Sequence, residues 1–96
     1  MITEIALLNI RSGMKDEFIL SFRQAGGIIK KMNGYLEHSL DQCLEDDHKF
    51  LLRVKWEKLE DHTIGFRQSV EYEEWKALLH HFYNPFPVVE HFASIM

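Results

Sequence analysis

YLEHSLDQCLEDDHKFLLRVKW, residues 35–56, is the stretch on which the fold turns. Phe50, Leu52, Val54 and Trp56 recur at every second position, with Leu51, Arg53 and Lys55 between them. That is the period of a strand with one face in a core. From Tyr35 to Leu44 the alternation is looser, with Leu36, His38, Leu40 and Gln42 set against Tyr35, Glu37, Ser39 and Asp41. Glu45-Asp46-Asp47 between the two runs is a polar turn, and strands joined by so short a turn pair as an antiparallel hairpin.

Toward the N-terminus, Asn33-Gly34 is a helix stop, since both residues tolerate left-handed dihedrals. Met14, Phe18, Phe22, Ala25, Ile29 and Met32 precede it at spacings of three and four, an apolar stripe on a helix over 14–32. Ser12 is the expected N-cap, with Asp16 and Glu17 in the first turn. Gly26-Gly27 costs this helix about 1–2 kcal/mol relative to alanines, and a close approach to the sheet would explain it. Residues 2–10, ITEIALLNI, read as a strand, apolar on both faces. Asn9 is either a turn former at its end or an amide aimed at a ligand.

Toward the C-terminus the period lengthens. Leu59, His62 or Thr63, and Phe66 share one helical face. Ser69 then offers an N-cap, followed by a second stripe of Tyr72, Trp75, Leu78, Leu79 and Phe82. Asn84-Pro85 stops that helix, and Val88 to Ala93 forms a last strand. The order β-α-β-β-α-α-β predicts one α+β domain over 1–96, a ferredoxin-like split βαβ with a four-stranded antiparallel sheet. Helices on one face leave the other bare. On that face or the helical one the strands offer Phe50, Leu52, Val54, Trp56 and Phe92, and a homodimer would cover so much apolar surface.

Composition narrows the function classes. The chain has a net charge of −4 and scattered basic residues, which argues against a nucleic-acid surface. No apolar run reaches the roughly 20 residues of a membrane helix. The start, MITEIALLNI, has no basic region ahead of its apolar residues, so a cytoplasmic protein is expected. Cys43 is the only cysteine, which excludes an intrachain disulfide. No histidine pair has metal-ligand spacing, and Glu71, Glu73 and Glu74 read as a helix start rather than a ligand set.

The residues suited to chemistry concentrate in 56–92, which holds both tryptophans, four of the seven phenylalanines and four of the six histidines. His62 and Phe66 stand four apart, so an imidazole with a pKa suited to proton transfer lies beside an aromatic wall. The alternative is a histidine packed over the sheet. His91 shares a strand face with Val89 and Ala93, facing either a cavity or a dimer seam. His80-His81 spans two directions at a helix end. Trp75 and Phe82 are core by periodicity, yet walls of this kind also form small-ligand sites.

Trp56, Leu59-Glu60-Asp61-His62, Phe66-Arg67-x-Ser69, Trp75 and Pro87-x-Val89-x-His91-Phe92 resemble the antibiotic biosynthesis monooxygenase family, as do the Ser12-Gly13 helix start and Asn33-Gly34-Tyr35. The resemblance implies a dimeric α+β barrel. One branch implies a cofactor-independent monooxygenase that oxidises a small aromatic phenol or quinol with O₂, needing no metal. On that reading His62 assists deprotonation with His91 as the second candidate. Asn9 then holds a substrate oxygen, and Phe66, Trp75 and Phe82 form walls. A second branch degrades haem with an asparagine, a tryptophan and a histidine. Here Asn9 is kept, but Phe66 stands for the tryptophan and Lys76 for the histidine, leaving His80 or His81 as substitute ligands. A non-catalytic module binding a small apolar metabolite is the other alternative.

Overall fold

The computed structural model describes residues 1–96. Its strands are Ile2–Asn9 (β1), Tyr35–Gln42 (β2), Lys49–Trp56 (β3) and Val89–Phe92 (β4). The helices are Lys15–Ile29 (α1) and Val70–Leu79 (α2), with a π-helical turn at Asp61–Phe66 and a 3₁₀ turn at His80–Phe82. The four strands pair antiparallel in the order β2-β3-β1-β4, which is the split βαβ expected from the hairpin outward. No helix is long and apolar enough to cross a membrane.

Register decides which residues meet the helices. β1 is a central strand: Glu4, Ala6 and Leu8 pair with Val54, Leu52 and Phe50 on one side. On the other side, Glu4 and Ala6 pair with His91 and Val89. Side chains alternate across a strand, so this whole set lies on one face. Phe18, Phe22, Ala25 and Ile29 of α1 and Trp75 and Leu79 of α2 close over it, all buried. Each large side chain so covered contributes about 1.5–3 kcal/mol. Thus, of the two faces open to them, Phe50, Leu52, Val54 and Trp56 take the helical one and are core, and only Phe92 lies on the bare one. The open face instead carries Ile5, Leu7 and Leu51 beside it, with Leu7 51% and Phe92 53% exposed.

Local chemistry explains where the elements begin. Ser69 caps α2, its hydroxyl accepting from the Tyr72 N–H at 3.1 Å. Ser12 does not cap α1. The chain turns at Ser12-Gly13, where the Met14 N–H donates to the Arg11 carbonyl and Gly13 takes φ +78°, and the helix starts only afterwards. Gly26 is the glycine that the sheet requires, because a Cβ there would lie 3.1 Å from His38 Nε2. Gly27 has open space, and no contact accounts for it. The expected helix from Leu59 is the π-helical turn, in which the Arg67 N–H reaches back five residues to the His62 carbonyl at 3.1 Å.

Candidate functional site

Glu4 is an acid on the covered face of an otherwise apolar strand, 6% exposed. Three elements meet it there. From the end of β3, the Trp56 Nε1–H donates to Glu4 Oε1 at 3.0 Å. From the π-helical turn, His62 brings Nε2 within 3.4 Å of the same oxygen. From β4, His91 sets Nε2 2.7 Å from His62 Nδ1. The Trp56 indole stacks on the His62 ring, with centroids 5.5 Å apart and planes at 17°. Phe66, one turn on from His62, packs against both rings.

Burial governs the protonation of this cluster. It pushes the Glu4 carboxyl up to about 7, against the opposing pull of the Trp56 bond and the Arg67 charge. It pushes His62 down to about 3, and the Arg67 and His91 charges act the same way. His91 is lowered by burial and by Arg67. Near neutrality His62 is therefore an uncharged imidazole, while Glu4 sits at the midpoint of its titration. The 3.4 Å approach between them is a polar contact to a neutral ring rather than an ion pair.

A cleft of about 390 Å³ opens beside the cluster. Glu4, Ala6 and Leu8 of β1, with Leu52 and Val89, form its floor. Phe66, Tyr72 and Trp75 line it from the helical side, and His62 stands at its inner end. Arg67, His80, Tyr83 and Phe86 complete it, and Arg67 and Phe86 reach solvent. His80 is held below its usual pKa by burial and by Lys76, so it too is neutral. Tyr83 is raised beyond the usual phenol range, chiefly by burial.

Of the residues expected at a site, His62, Phe66 and Trp75 come together around this cleft, and His91 stands behind His62. Phe82 does not line it; it packs edge-on against Phe18 in the core. Asn9 lies away from it, on the same face as Ile5 and Leu7, because the inward phase of β1 belongs to Glu4, Ala6 and Leu8. Its backbone carbonyl accepts from the Asn84 N–H at 2.9 Å, a long-range bond rather than a turn. Sequence reasoning passed over Glu4, Trp56, Arg67, Tyr72 and Tyr83.

Comparison with known proteins agrees with this architecture. The family model for antibiotic biosynthesis monooxygenase matches residues 1–78. YczJ, an uncharacterised protein of Bacillus subtilis (strain 168), is 59% identical over 95 residues, covering 99% of this chain and 100% of YczJ. A crystal structure from Bordetella bronchiseptica named for the same family superposes with a TM-score of 0.93 at 27% identity, over 99% of this chain and 97% of that one. SnoaB, a cofactor-independent oxygenase from Streptomyces nogalater, shares the fold with a TM-score of 0.83 at 14% identity, over 99% and 93% of the two chains. By its family match and its likeness to YczJ along nearly its whole length, the chain belongs to the antibiotic biosynthesis monooxygenase family.

Proposed function

We propose that the protein is a cofactor-independent monooxygenase that oxidises a small aromatic phenol or quinol with O₂. The observation that carries this reading is a cleft with aromatic walls ending on a buried, near-neutral Glu4–His62–His91 cluster. The name of SnoaB, a cofactor-independent oxygenase of the same fold, supports it. Phe66, Tyr72 and Trp75 would sandwich a flat ring and exclude water. Proton transfer to the cluster, with His62 at its centre and His91 behind, would generate the electron-rich phenolate. A ring carbon bearing hydrogen then bonds to O₂ and gives a peroxide anion. Reprotonation of the peroxide, loss of the ring C–H proton and O–O cleavage then release water and leave a carbonyl, so the substrate supplies every electron that reduces O₂.

Haem chemistry has weaker support. Lys76, at the position of the expected axial ligand, is ion-paired to Glu73 at 2.9 Å and has its pKa raised by that partner, so it remains an ammonium without a lone pair.

Oxygen uptake with a panel of phenols, anthrones and quinols tests the reading. His62→Ala is expected to slow turnover by about a hundredfold or more, with far-ultraviolet circular dichroism unchanged. Binding without oxygen uptake identifies a non-catalytic binding module instead, and a Soret band on haem titration would revive the haem reading.

The open sheet face supports a homodimer, since Ile5, Leu7, Leu51 and Phe92 form a contiguous apolar surface on it. Leu7→Glu combined with Phe92→Glu is expected to yield a monomer by sedimentation where the unaltered protein sediments as a dimer. A monomer in both cases would remove the pairing.

A further inference from the structure

Both ring nitrogens of His62 already have a neighbour within the cluster, one by a hydrogen bond and one by a longer contact. Nε2 points at Glu4 Oε1, and Nδ1 is engaged by His91 Nε2 at 2.7 Å. Glu4 Oε1 is likewise committed. The Trp56 Nε1–H only donates, so the oxygen it meets is always an acceptor. That leaves Oε2. It has no hydrogen-bond partner in the protein, yet no fully enclosed side-chain oxygen in the molecule lacks one. Glu4 lines the cleft, so Oε2 is reached from there.

We infer that Glu4 acts through Oε2 as the proton acceptor of the cleft, taking the proton of a bound phenol, and that Trp56, His62 and His91 are positioning residues. Hydrogen bonding fixes the tautomers. With its proton on Nε2, facing Oε1 at 3.4 Å, His62 accepts through Nδ1, and His91 Nε2–H donates to it. This arrangement is the same whether Oε2 is bare or protonated, because Oε1 accepts in both states. Charging and discharging Glu4 therefore requires no rearrangement of its supports. The other titratable groups around it are Arg67 from beyond the π-helical turn, His91 from β4 and Tyr83 from the segment after α2. Arg67 supplies the positive charge that favours a phenolate nearby. Burial brings the carboxyl to about 7, where it can both accept and return a proton.

The step balances without a further reagent. The substrate O–H bond breaks as Oε2–H forms, leaving a phenolate beside a neutral carboxyl. After O₂ has added, the proton leaves Oε2 for the outer peroxide oxygen; the ring C–H bond then breaks, its electron pair forming the carbonyl as the O–O bond cleaves, and the departing hydroxide takes that ring proton and leaves as water. The oxidative part rests on the function proposed above; the assignment of the proton acceptor is tested separately.

The test uses 3-nitrophenol, whose ionisation is visible and which stays largely un-ionised in solution just above neutrality, with infrared detection of protonated carboxyl. Above the Glu4 midpoint, addition of the probe is expected to restore a carboxyl C=O band in step with phenolate absorbance. Glu4→Gln is expected to lose that band while keeping the Trp56 hydrogen bond to its amide oxygen and the circular dichroism of the fold. Glu4→Asp is expected to recover a band, and His91→Ala to keep it with a displaced midpoint. Phenolate formation without the band, a band that survives Glu4→Gln, or no binding of the probe at millimolar concentration would each overturn the assignment. With any phenol that consumes oxygen, Glu4→Gln should lower kcat by about a hundredfold or more. If no phenol consumes oxygen while the band still follows the probe, the monooxygenase reading fails and the assignment of Glu4 stands.

Discussion

Trp56→Ala is expected to lower the free energy of unfolding by about 4 kcal/mol, read from urea denaturation at fixed pH. Trp56 is 0% exposed, so no part of the indole volume is recovered by solvent. Its ring is stacked on His62 and also meets Phe66 and, edge-on at 6.3 Å, Tyr35. Deleting it leaves a cavity between β3 and the π-helical turn and strips Glu4 of its donor. Trp56→Phe separates the two contributions. It keeps most of the aromatic packing and removes only the N–H, so about 1–2 kcal/mol is expected. It should also raise the Glu4 midpoint further, because the indole bond favours the charged carboxylate. An equal cost for the two substitutions would mean that packing contributes little, and an unmoved midpoint would mean that the bond does not govern Glu4.

The second large effect is a stability profile limited on both sides of a mildly acidic plateau. Glu4 has a folded pKa of about 7 against 4.5 in an unfolded chain, so between those values the folded state holds the extra proton. Stability therefore falls as pH rises through that interval, by about 3 kcal/mol once Glu4 is fully ionised. His62 has the opposite sign: with a folded value of about 3 against 6.5, the unfolded chain binds the extra proton. Stability falls as pH drops through that interval. His38, His80 and His91, all lowered chiefly by burial, act in the same direction. Where the intervals overlap, between 4.5 and 6.5, the slopes of Glu4 and His62 oppose each other. Urea midpoints measured across pH should show this shape. Glu4→Gln should remove the alkaline limb, making the variant the more stable protein above neutrality. An alkaline limb unchanged in that variant would assign it to another group.

The hairpin was legible because Phe50 to Trp56 alternates cleanly and its turn is acidic, and everything outward followed from it. The apolar stripe of α1 and the cap at Ser69 follow rules that act within a few residues. The site was only half legible, for a reason visible in β1. ITEIALLNI is apolar at both phases, so nothing within the strand says which alternate set faces inward. Pairing with β3 and β4 decides that, and it turned Asn9 outward and Glu4 inward. A lone acid in such a run ordinarily reads as solvent-facing, and only the Trp56 and His62 contacts give it another meaning. Phe82 shows the same limit. Its periodicity implied burial, but not whether the ring would end beside Phe18 or beside the cleft.

The π-helical turn at Asp61–Phe66 has one more consequence. A ring closed from Arg67 back to His62 contains one residue more than an α-helical turn. A family member that winds the same segment as an α-helix therefore spans the distance from Trp56 to Ser69 with one residue fewer. An alignment of the two needs its gap inside 61–66, and a gap placed elsewhere mismatches every position between. Correspondences drawn for the residues before Phe66 in this segment, His62 among them, depend on that single placement.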